Sequence, residues 1–519
     1  FLSIVLIASW LSPAFGQNPN TAIEWLKEEK DTKTGPLKDI VPEKNILPSA
    51  IEKTPLQPIN LNSIGIIPTK ISGIDPDLWV KMNENDISYR LSSLPNLKFQ
   101  AAQTYLKRIL ISETQPPVSA PESKNSGKIY LLAKLDKLIG MGALDEAETM
   151  VLQVPQIDPN LFKRWIRISF LTGRIRKLCE TLMRNSGLTQ NLSVRIICLK
   201  NLNDWDAAAL TLSTASNLEM FDLNREKFLI HYLDPKLVET SELSTNSVQL
   251  NEIDYFIINS SSQISSVQTS ELRYLYMVLK NSSEPKNKIQ AAEELAIKKS
   301  INASSLFDIY RNTSIDGSIK FWRRIIATKN LDLTLQRNNN KSVNIAVTKA
   351  INEMFLGNLL TLFATEYADK LSAYSQNKNW NERNDKFALI FALNGQIPAK
   401  WKNYKAQDHY ISMAISILRN EKINAKLVYD AVALVNPDFK TIISSKKLAS
   451  NESQKNEQKS NNKGLMILEA LKKSSQGIDT KPEDLYSSLL IFLQVEEIEL
   501  VKLILVEYLV HFSMLNIRD

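Results

Sequence analysis

The clearest structural signal in the chain is residues 129–152, IYLLAKLDKLIGMGALDEAETMVL. Its apolar residues recur every three or four positions, first up to Ile139 and again from Leu144. This spacing places apolar side chains on one face of a helix. Gly140 and Gly142 interrupt the pattern, because glycine weakens a helix and favours a turn. The stretch therefore predicts a helical hairpin, two helices joined by a short turn.

The same pattern returns twice further along the chain. In residues 162–182 it is broken at Gly173, and a third example is centred on Asn203. The breaks at Gly142, Gly173 and Asn203 are 31 and 30 residues apart. Equivalent positions within the second helix of each pair keep the same spacing: Ala147, Leu178 and Ala208. Three units in phase predict repeated helical hairpins.

Two of these turns carry a resemblance to a known family. Residues 142–147, GALDEA, and residues 203–208, NDWDAA, are similar to the turn and second helix of tetratricopeptide-type repeats. The intervening residues 173–178, GRIRKL, depart from that pattern by placing Leu178 where alanine is expected. The period is also shorter than the roughly 34 residues of that family. The resemblance covers residues 128–214 and implies a fold, in which a small turn residue lets two helices approach closely.

Composition extends the helical expectation to the rest of the chain. Only 14 of 519 residues are glycine, which leaves few of the tight turns that α/β enzymes use. Apolar faces continue through residues 352–371, 385–393, 409–418 and 485–509. We expect an all-α fold, an α-solenoid of stacked hairpins with an irregular helical C-terminal half. Such stacks build concave binding surfaces.

The first residues predict export from the cytoplasm. Residues 1–11 are almost wholly apolar, and Ala14 and Gly16 supply the small residues of a cleavage site before Gln17. A buried core helix and an uncleaved membrane anchor are the alternatives. We expect a periplasmic or secreted protein with no transmembrane span after removal of this signal peptide. Its layout loosely resembles large cell-envelope proteins of α-proteobacteria, a resemblance that implies no particular activity.

Changes in composition predict the boundaries along the chain. Prolines are spread through the segment after the signal peptide, and a later tract is almost entirely Ser, Lys, Asn, Glu and Gln. Proline blocks helices, and polar tracts bury too little apolar surface to fold. The predicted units are a signal peptide at 1–16, a largely disordered tether at 17–76, a helical-repeat domain at 77–240, a helical domain at 241–443, a disordered linker at 444–463 and a C-terminal helical hairpin at 464–519.

The chain has two cysteines, Cys179 and Cys198, on either side of a predicted turn at residues 187–189. If the flanking helices are antiparallel neighbours, the two side chains lie at matching heights. In an oxidising compartment this arrangement predicts a disulfide bond. The alternative is a pair of buried thiols that pack as small apolar groups.

Few residues are available for metal or nucleophilic chemistry. The three histidines are isolated from one another, and neither a zinc-binding motif nor a hydrolase or phosphate-binding motif occurs. Glu452-Ser453 followed by Gly464-Leu465-Met466 superficially resembles the motif of lytic transglycosylases, but it departs at Ile467, and Glu452 lies in the polar tract. We therefore expect no cofactor, no metal site and no enzymatic activity.

A cluster of basic residues in the second hairpin is the candidate binding surface. Trp165 and Phe170 are interleaved with it. The members of this basic stripe are Lys163, Arg164, Arg167, Arg174, Arg176 and Lys177. One interpretation is a site for an anionic envelope polymer, a lipid headgroup or an acidic protein. The other is a solvated helix face whose aromatic residues point inward.

These features favour a scaffold or adaptor that binds proteins or anionic envelope components. The formal charge of +7 is modest for this length, and export would keep the protein away from nucleic acid. An envelope-polymer enzyme or its accessory subunit is the main alternative, and a secreted effector would share every feature used above. A deep pocket in the C-terminal half that gathers two or more carboxylates would favour the enzyme, whereas a shallow groove would favour binding.

Overall fold

The structure is a computed structural model that describes residues 60–120, 126–238, 251–260, 272–282, 284–315, 322–337, 340–376, 385–401, 403–420, 422–439, 441 and 462–516. All of these belong to one compact unit, Ile59–Asp519. The predicted signal peptide, residues 17–59 of the tether and residues 444–461 of the linker lie outside the described residues.

The expectation of an all-α fold is confirmed in the described part of the chain. Its N-terminal part contains a 3-10 helix at Leu61–Ser63, β1 (Ile67–Pro68), α1 (Thr69–Ser72), α2 (Glu84–Ser93), α3 (Gln100–Ile111) and β2 (Ser112–Glu113). The hairpin region contains α4 (Ile129–Gly140), α5 (Leu144–Leu152), α6 (Pro159–Thr172), α7 (Arg176–Arg184), α8 (Leu192–Asn201), α9 (Trp205–Asn217) and α10 (Leu223–Leu233). The two short strands pair in parallel, with Ile67 opposite Ser112.

The C-terminal half continues as helices. They are α11 (Glu252–Ser260), α12 (Leu272–Asn281), α13 (Pro285–Ile297), α14 (Ala303–Asn312), α15 (Arg323–Arg337), α16 (Asn340–Leu356), α17 (Leu360–Gln376), α18 (Asp385–Leu393), α19 (His409–Arg419), α20 (Ala425–Val435), α21 (Lys463–Lys473), α22 (Pro482–Gln494) and α23 (Ile498–Asn516). Two predicted apolar runs are each divided between helices. Residues 352–371 are interrupted at Asn358 and residues 485–509 at Glu496, where φ is +55° and +64°. A left-handed residue ends a helix even where the apolar pattern continues.

The three predicted hairpin turns share one backbone conformation. Gly142, Gly173 and Asn203 have φ of +74°, +73° and +67°, and each lies between two helices of a predicted pair. The left-handed region favours glycine and asparagine. At Gly142 close packing adds a second requirement, because a Cβ there would lie 3.0 Å from Ser300 Oγ and 3.2 Å from the carbonyl oxygen of Leu272.

Residues 60–76, which the sequence places in the tether, instead pack onto the helical body. Ile64 and Ile74 are buried in the hydrophobic core, and the Ile66 N–H donates to the carbonyl of Ile111 at 2.7 Å. Pro68 ends β1 and precedes α1, and Pro76 lies in a turn, while Ile64 and Ile74 supply apolar surface for burial. The folded body therefore begins before the predicted boundary at residue 77.

The C-terminal segment, predicted as a separate hairpin at 464–519, packs against the N-terminal helices. It contains three helices, and the last of them, α23, packs on α3, α19 and α22. The Lys98 N–H donates to the carbonyl of Ser475 at 2.9 Å. Gly464 lies against the ring of Trp79 so closely that a Cβ would be 2.5 Å from it. The described residues of the predicted domains 77–240, 241–443 and 464–519 thus share one compact unit.

Candidate functional site

The basic stripe lies on α6, on α7 and in the turn between them. α6 begins at Pro159, and the carboxylate of Asp158 accepts the Leu161 N–H at 2.9 Å, which is a common N-cap. The interleaved aromatic residues Trp165 and Phe170 are 3% and 0% exposed. These aromatics face the core, as the second interpretation of the stripe requires.

Two arginines of the stripe bind an acidic residue of the preceding hairpin. Arg164 Nη2 lies 2.6 Å from one carboxylate oxygen of Asp136, and Arg167 Nη1 lies 3.3 Å from the other. Asp136 belongs to α4, so these ion pairs join the second hairpin to the first. Their role is structural at least in part.

The remaining arginines are also paired. Arg174 Nη2 lies 2.6 Å from Asp145 and 2.5 Å from Glu148, both on α5, and Arg176 pairs with Glu180 at 3.2 Å along α7. Lys163 and Lys177 are exposed, as are Arg174 and Arg176. Each of the four arginines of the stripe therefore has a carboxylate partner.

Part of the stripe nevertheless lines a cleft of about 620 Å³, which we call the basic cleft. Its walls come from α6, from residues 188–191 before α8, from the start of α11 and from α12. Its polar and charged lining residues are Lys163, Arg167, Thr189, Gln190, Asn191, Asn251, Glu252 and Arg273. Three cations face one carboxylate, so the lining carries an excess of positive charge.

The cleft is organised around Glu252. One carboxylate oxygen, Oε1, lies 3.0 Å from Arg167 Nε and 3.0 Å from Arg273 Nη1. The Arg273 guanidinium also lies 4.7 Å from the ring centroid of Tyr274, which stacks on Tyr255 at 3.9 Å. A cation over an aromatic face is stabilised in that position. Two guanidinium groups are thus held beside the opening of the cleft.

The sequence predicted two members of this cleft, Lys163 and Arg167, and missed the others. Glu252 and Arg273 lie on α11 and α12, far along the chain from α6. Neither residue belongs to a motif or to a local charge cluster. Only the packing of α6 against α11 and α12 brings these groups together.

The cysteine pair supports one wall of the basic cleft. Cys179 on α7 and Cys198 on α8 are fully buried, and the structure joins their sulfur atoms in a disulfide with the Cα atoms 4.9 Å apart. That Cα separation lies in the usual range for disulfides. The two helices flank residues 188–191, so the bond fixes the ends of the segment that forms this wall.

Removing the disulfide by the double substitution Cys179→Ala and Cys198→Ala is expected to lower the free energy of unfolding by about 3 kcal/mol. The reason is that a crosslink 19 residues apart restricts the unfolded chain. Urea denaturation of both proteins measures this difference. Before reductant is added, the wild-type protein unfolded in urea should not react with a thiol reagent, because both cysteines are in the disulfide. Labelling of both cysteines at that stage would instead support the unpaired alternative.

A second cavity, of about 380 Å³, lies where distant parts of the chain meet. Residues near the start of α3, the ends of α13 and α16 and the middle of α23 all contribute to it, and we call it the Glu507 cavity. It is lined by Lys98, Phe99, Ile297, Lys298, Phe355, Leu356, Asn358, Leu360, Thr361, Leu393, Ile478, Asp479, Glu507, Val510 and His511. Its volume lies in the range of small-molecule sites.

Two carboxylates line this cavity in different environments. Asp479 is largely exposed and pairs with Lys98 at 2.8 Å. Glu507 accepts the N–H groups of Gln100 and Ala101, at 2.9 and 3.2 Å, at the start of α3. Burial raises the pKa of Glu507 to about 6, although these two N–H groups and the charge of Lys299 act in the opposite direction. The carboxylate is therefore mostly ionised at neutral pH.

His511 lies one helical turn after Glu507 on α23. Its ring lies 5.2 Å from the ring of Phe355. Burial lowers the pKa of His511, and the charge of Asp479 acts against that shift. The imidazole is therefore neutral at physiological pH and can donate or accept a hydrogen bond.

Within the described ranges, no group of histidine, cysteine, aspartate and glutamate side chains is arranged to hold a metal ion. The helices of that part of the chain likewise include none with the length and apolar character of a membrane span. Comparisons with protein-family models, with curated proteins and with solved structures found no match to this chain.

Proposed function

We propose that the protein is a periplasmic or secreted helical-repeat scaffold or adaptor, and that it binds an acidic segment of a partner protein in the basic cleft. The observation that carries this proposal is the pair of guanidinium groups, Arg167 and Arg273, held around one carboxylate with Lys163 beside them. Three cations and one carboxylate line the cleft, and Arg167 also pairs with Asp136, which lies outside the lining. An acidic ligand would compensate the excess of positive charge in the lining.

The arrangement of the hairpins supports a binding role. In the region from α4 to α9 each helix packs against the next, as a stack of hairpins requires. We propose that this region is a short solenoid whose hairpins hold the cleft in place. The ion pairs of Asp136 with Arg164 and Arg167 would resist sliding of one hairpin over the next.

The chemistry of the cleft favours carboxylate ligands. Guanidinium groups bind carboxylates through two parallel N–H donors. In this cleft Arg167 Nε and Arg273 Nη1 both donate to Glu252, and Arg167 Nη1 donates to Asp136. The neighbouring amides of Gln190, Asn191 and Asn251 can supply further hydrogen bonds. An extended acidic peptide fits this combination of cations and amides.

A charge reversal at Lys163 tests the proposal. Lys163→Glu is expected to weaken binding of a fluorescein-labelled octaglutamate peptide by roughly tenfold, because it replaces an attraction by a repulsion at the edge of the site. Lys177→Glu is the matched control, since it makes the same change at an exposed position outside the cleft. Fluorescence anisotropy measures both affinities. Equal loss in the two variants would contradict the cleft and indicate only general charge attraction.

The same variants distinguish a protein partner from a membrane. Phosphatidylglycerol vesicles replace the peptide in a sedimentation assay. Binding to vesicles but not to octaglutamate would contradict the proposed acidic protein segment and favour a lipid headgroup. Arg164, Arg167 and Arg174 are poorer targets, because substituting them also breaks ion pairs between hairpins.

The second candidate function is an envelope-polymer enzyme. The observation that favours it is the Glu507 cavity, which gathers two carboxylates and whose acidic residue Glu507 has a raised pKa. Asp479, however, is exposed and already paired with Lys98. Release of soluble fragments from purified envelope polymer by the wild-type protein, and its loss in Glu507→Gln, would favour this enzyme over an adaptor.

A further inference from the structure

The lining of the Glu507 cavity carries charges of both signs. Its lining includes two carboxylates, Asp479 and Glu507, and two ammonium groups, Lys98 and Lys298. The pair Lys98–Asp479 neutralises itself at 2.8 Å. Among the described residues that line the cavity, Glu507 and Lys298 have no oppositely charged side chain within salt-bridge distance.

Glu507 is the acidic end of the cavity. Glu507 lines the cavity, and its two oxygen atoms accept the Gln100 and Ala101 N–H groups. In the described part of the chain it has no salt bridge within 4.0 Å. Lys299 attracts it only from a greater distance and does not line the cavity. A cation inside the cavity would therefore stabilise this carboxylate.

Lys298 is the basic end. It follows the C-terminus of α13 and is half-buried at the cavity. No carboxylate lies within salt-bridge distance of it among the residues that the structure describes. An anion at this position would compensate its charge.

Much of the rest of the lining is apolar. It includes Phe99, Ile297, Phe355, Leu360, Leu393 and Val510. Aromatic and aliphatic side chains bury the apolar body of a ligand, and a few polar groups fix its orientation. Asn358 and Thr361 add uncharged polar groups to the same lining.

We propose that the Glu507 cavity binds a small amphipathic zwitterion, with its amino group at Glu507, its carboxylate at Lys298 and its apolar body against Phe355 and Leu360. A simple cation would leave Lys298 uncompensated, and a simple anion would be repelled by Glu507. A molecule with separated charges and an apolar body satisfies both ends. This site is independent of the basic cleft, because the two share no lining residue.

The probe is the dipeptide Leu-Phe, which carries a free amino group, a free carboxylate and two apolar side chains. Isothermal titration calorimetry near neutral pH compares it with N-acetyl-Leu-Phe, which lacks the amino charge, and with Leu-Phe-amide, which lacks the carboxylate. We expect the free dipeptide to bind at least about tenfold more tightly than either blocked form. Equal affinity of the acetylated form would overturn the role of Glu507, and equal affinity of the amide would overturn the role of Lys298.

Variants of the full chain locate the site. Glu507→Gln and Lys298→Met should each weaken binding of Leu-Phe at least about tenfold, while Glu499→Gln, at an exposed position on the same helix, should not. Thr361→Trp, at a half-buried lining position, should block the cavity without touching either charge. It therefore tests the site even if Glu507→Gln fails to fold. Undiminished binding in Thr361→Trp, or no binding of Leu-Phe to the wild-type protein, would overturn the proposal.

Discussion

Replacing Glu84 with alanine is expected to lower the free energy of unfolding by about 3–5 kcal/mol, because it leaves several buried donors without an acceptor. Glu84 is 0% exposed. Its Oε2 accepts the amide of Asn62 at 2.7 Å and the Ile129 N–H at 3.1 Å. Its Oε1 accepts the Ala120 and Gly127 N–H groups at 2.7 and 3.1 Å. One carboxylate thus joins the N-terminal segment, the loop before α4 and α4 itself.

Urea denaturation followed by circular dichroism measures this effect. Glu84→Gln should be intermediate, since it keeps the shape and one acceptor oxygen but turns an amide toward two of the donors. Asp86→Ala, at an exposed position in the same helix, is the control and should change stability by less than about 0.5 kcal/mol. A loss of less than about 1 kcal/mol in Glu84→Ala would show that water replaces the carboxylate at little cost.

The helical hairpins could be predicted because they depend on residues that are close together in the sequence. The apolar spacing in α4 to α9 and the breaks at Gly142, Gly173 and Asn203 are set by neighbouring residues. Helix periodicity and the left-handed turn both act over a few positions. Local patterns were misleading for residues 60–76. The prolines of this segment suggested a tether, whereas Ile64 and Ile74 pack into the core.

The contacts of Glu84 could not be predicted from the sequence. Among the described residues, three of the four partners of its carboxylate are main-chain N–H groups, and every residue type except proline carries one. No side-chain pattern marks such a partner. The contact between α3 and α23 beside the Glu507 cavity could not be predicted from the sequence either. It joins residues some 400 positions apart.

For the basic stripe, the sequence shows the charged residues but not the carboxylates that pair with them. Its positive charges are visible in one short stretch, whereas their partners Asp136, Asp145 and Glu252 lie on other helices. The local cluster therefore looks more available for binding than it is. What remains for a ligand depends on which carboxylates the fold brings near, and in the basic cleft three cations line the surface with one carboxylate.

The second large effect concerns Lys134, a fully buried lysine on α4. Its Nζ donates to the carbonyl of Ile64 and lies 4.8 Å from the ring centroid of Tyr130. Burial lowers its pKa from 10.5 to about 7, and the charge of Glu113 opposes that shift only in part. In the unfolded chain the ammonium is fully solvated and keeps its ordinary pKa. Between these two values the unfolded state binds more protons than the folded state.

Linkage then fixes the sign of the pH dependence. Where the unfolded state binds more protons, stability rises with pH, so Lys134 destabilises the fold most below about pH 7 and least near pH 10. Lys134→Met removes the titrating group at similar length. The stability of this variant relative to the wild-type protein should therefore fall by about 4 kcal/mol between about pH 6 and pH 10.

This difference between two pH values separates the charge from the other effects of the substitution. The lost hydrogen bond to Ile64 and the changed packing on Tyr130 contribute nearly equally at both pH values, so they cancel. Urea denaturation of both proteins at the two pH values provides the measurement, and Lys177→Met, at an exposed position, is the matched control. A relative stability that does not change with pH would mean that Lys134 stays protonated in the folded protein. The carbonyl of Ile64 and the ring of Tyr130 would then be sufficient to hold a charged ammonium inside the core.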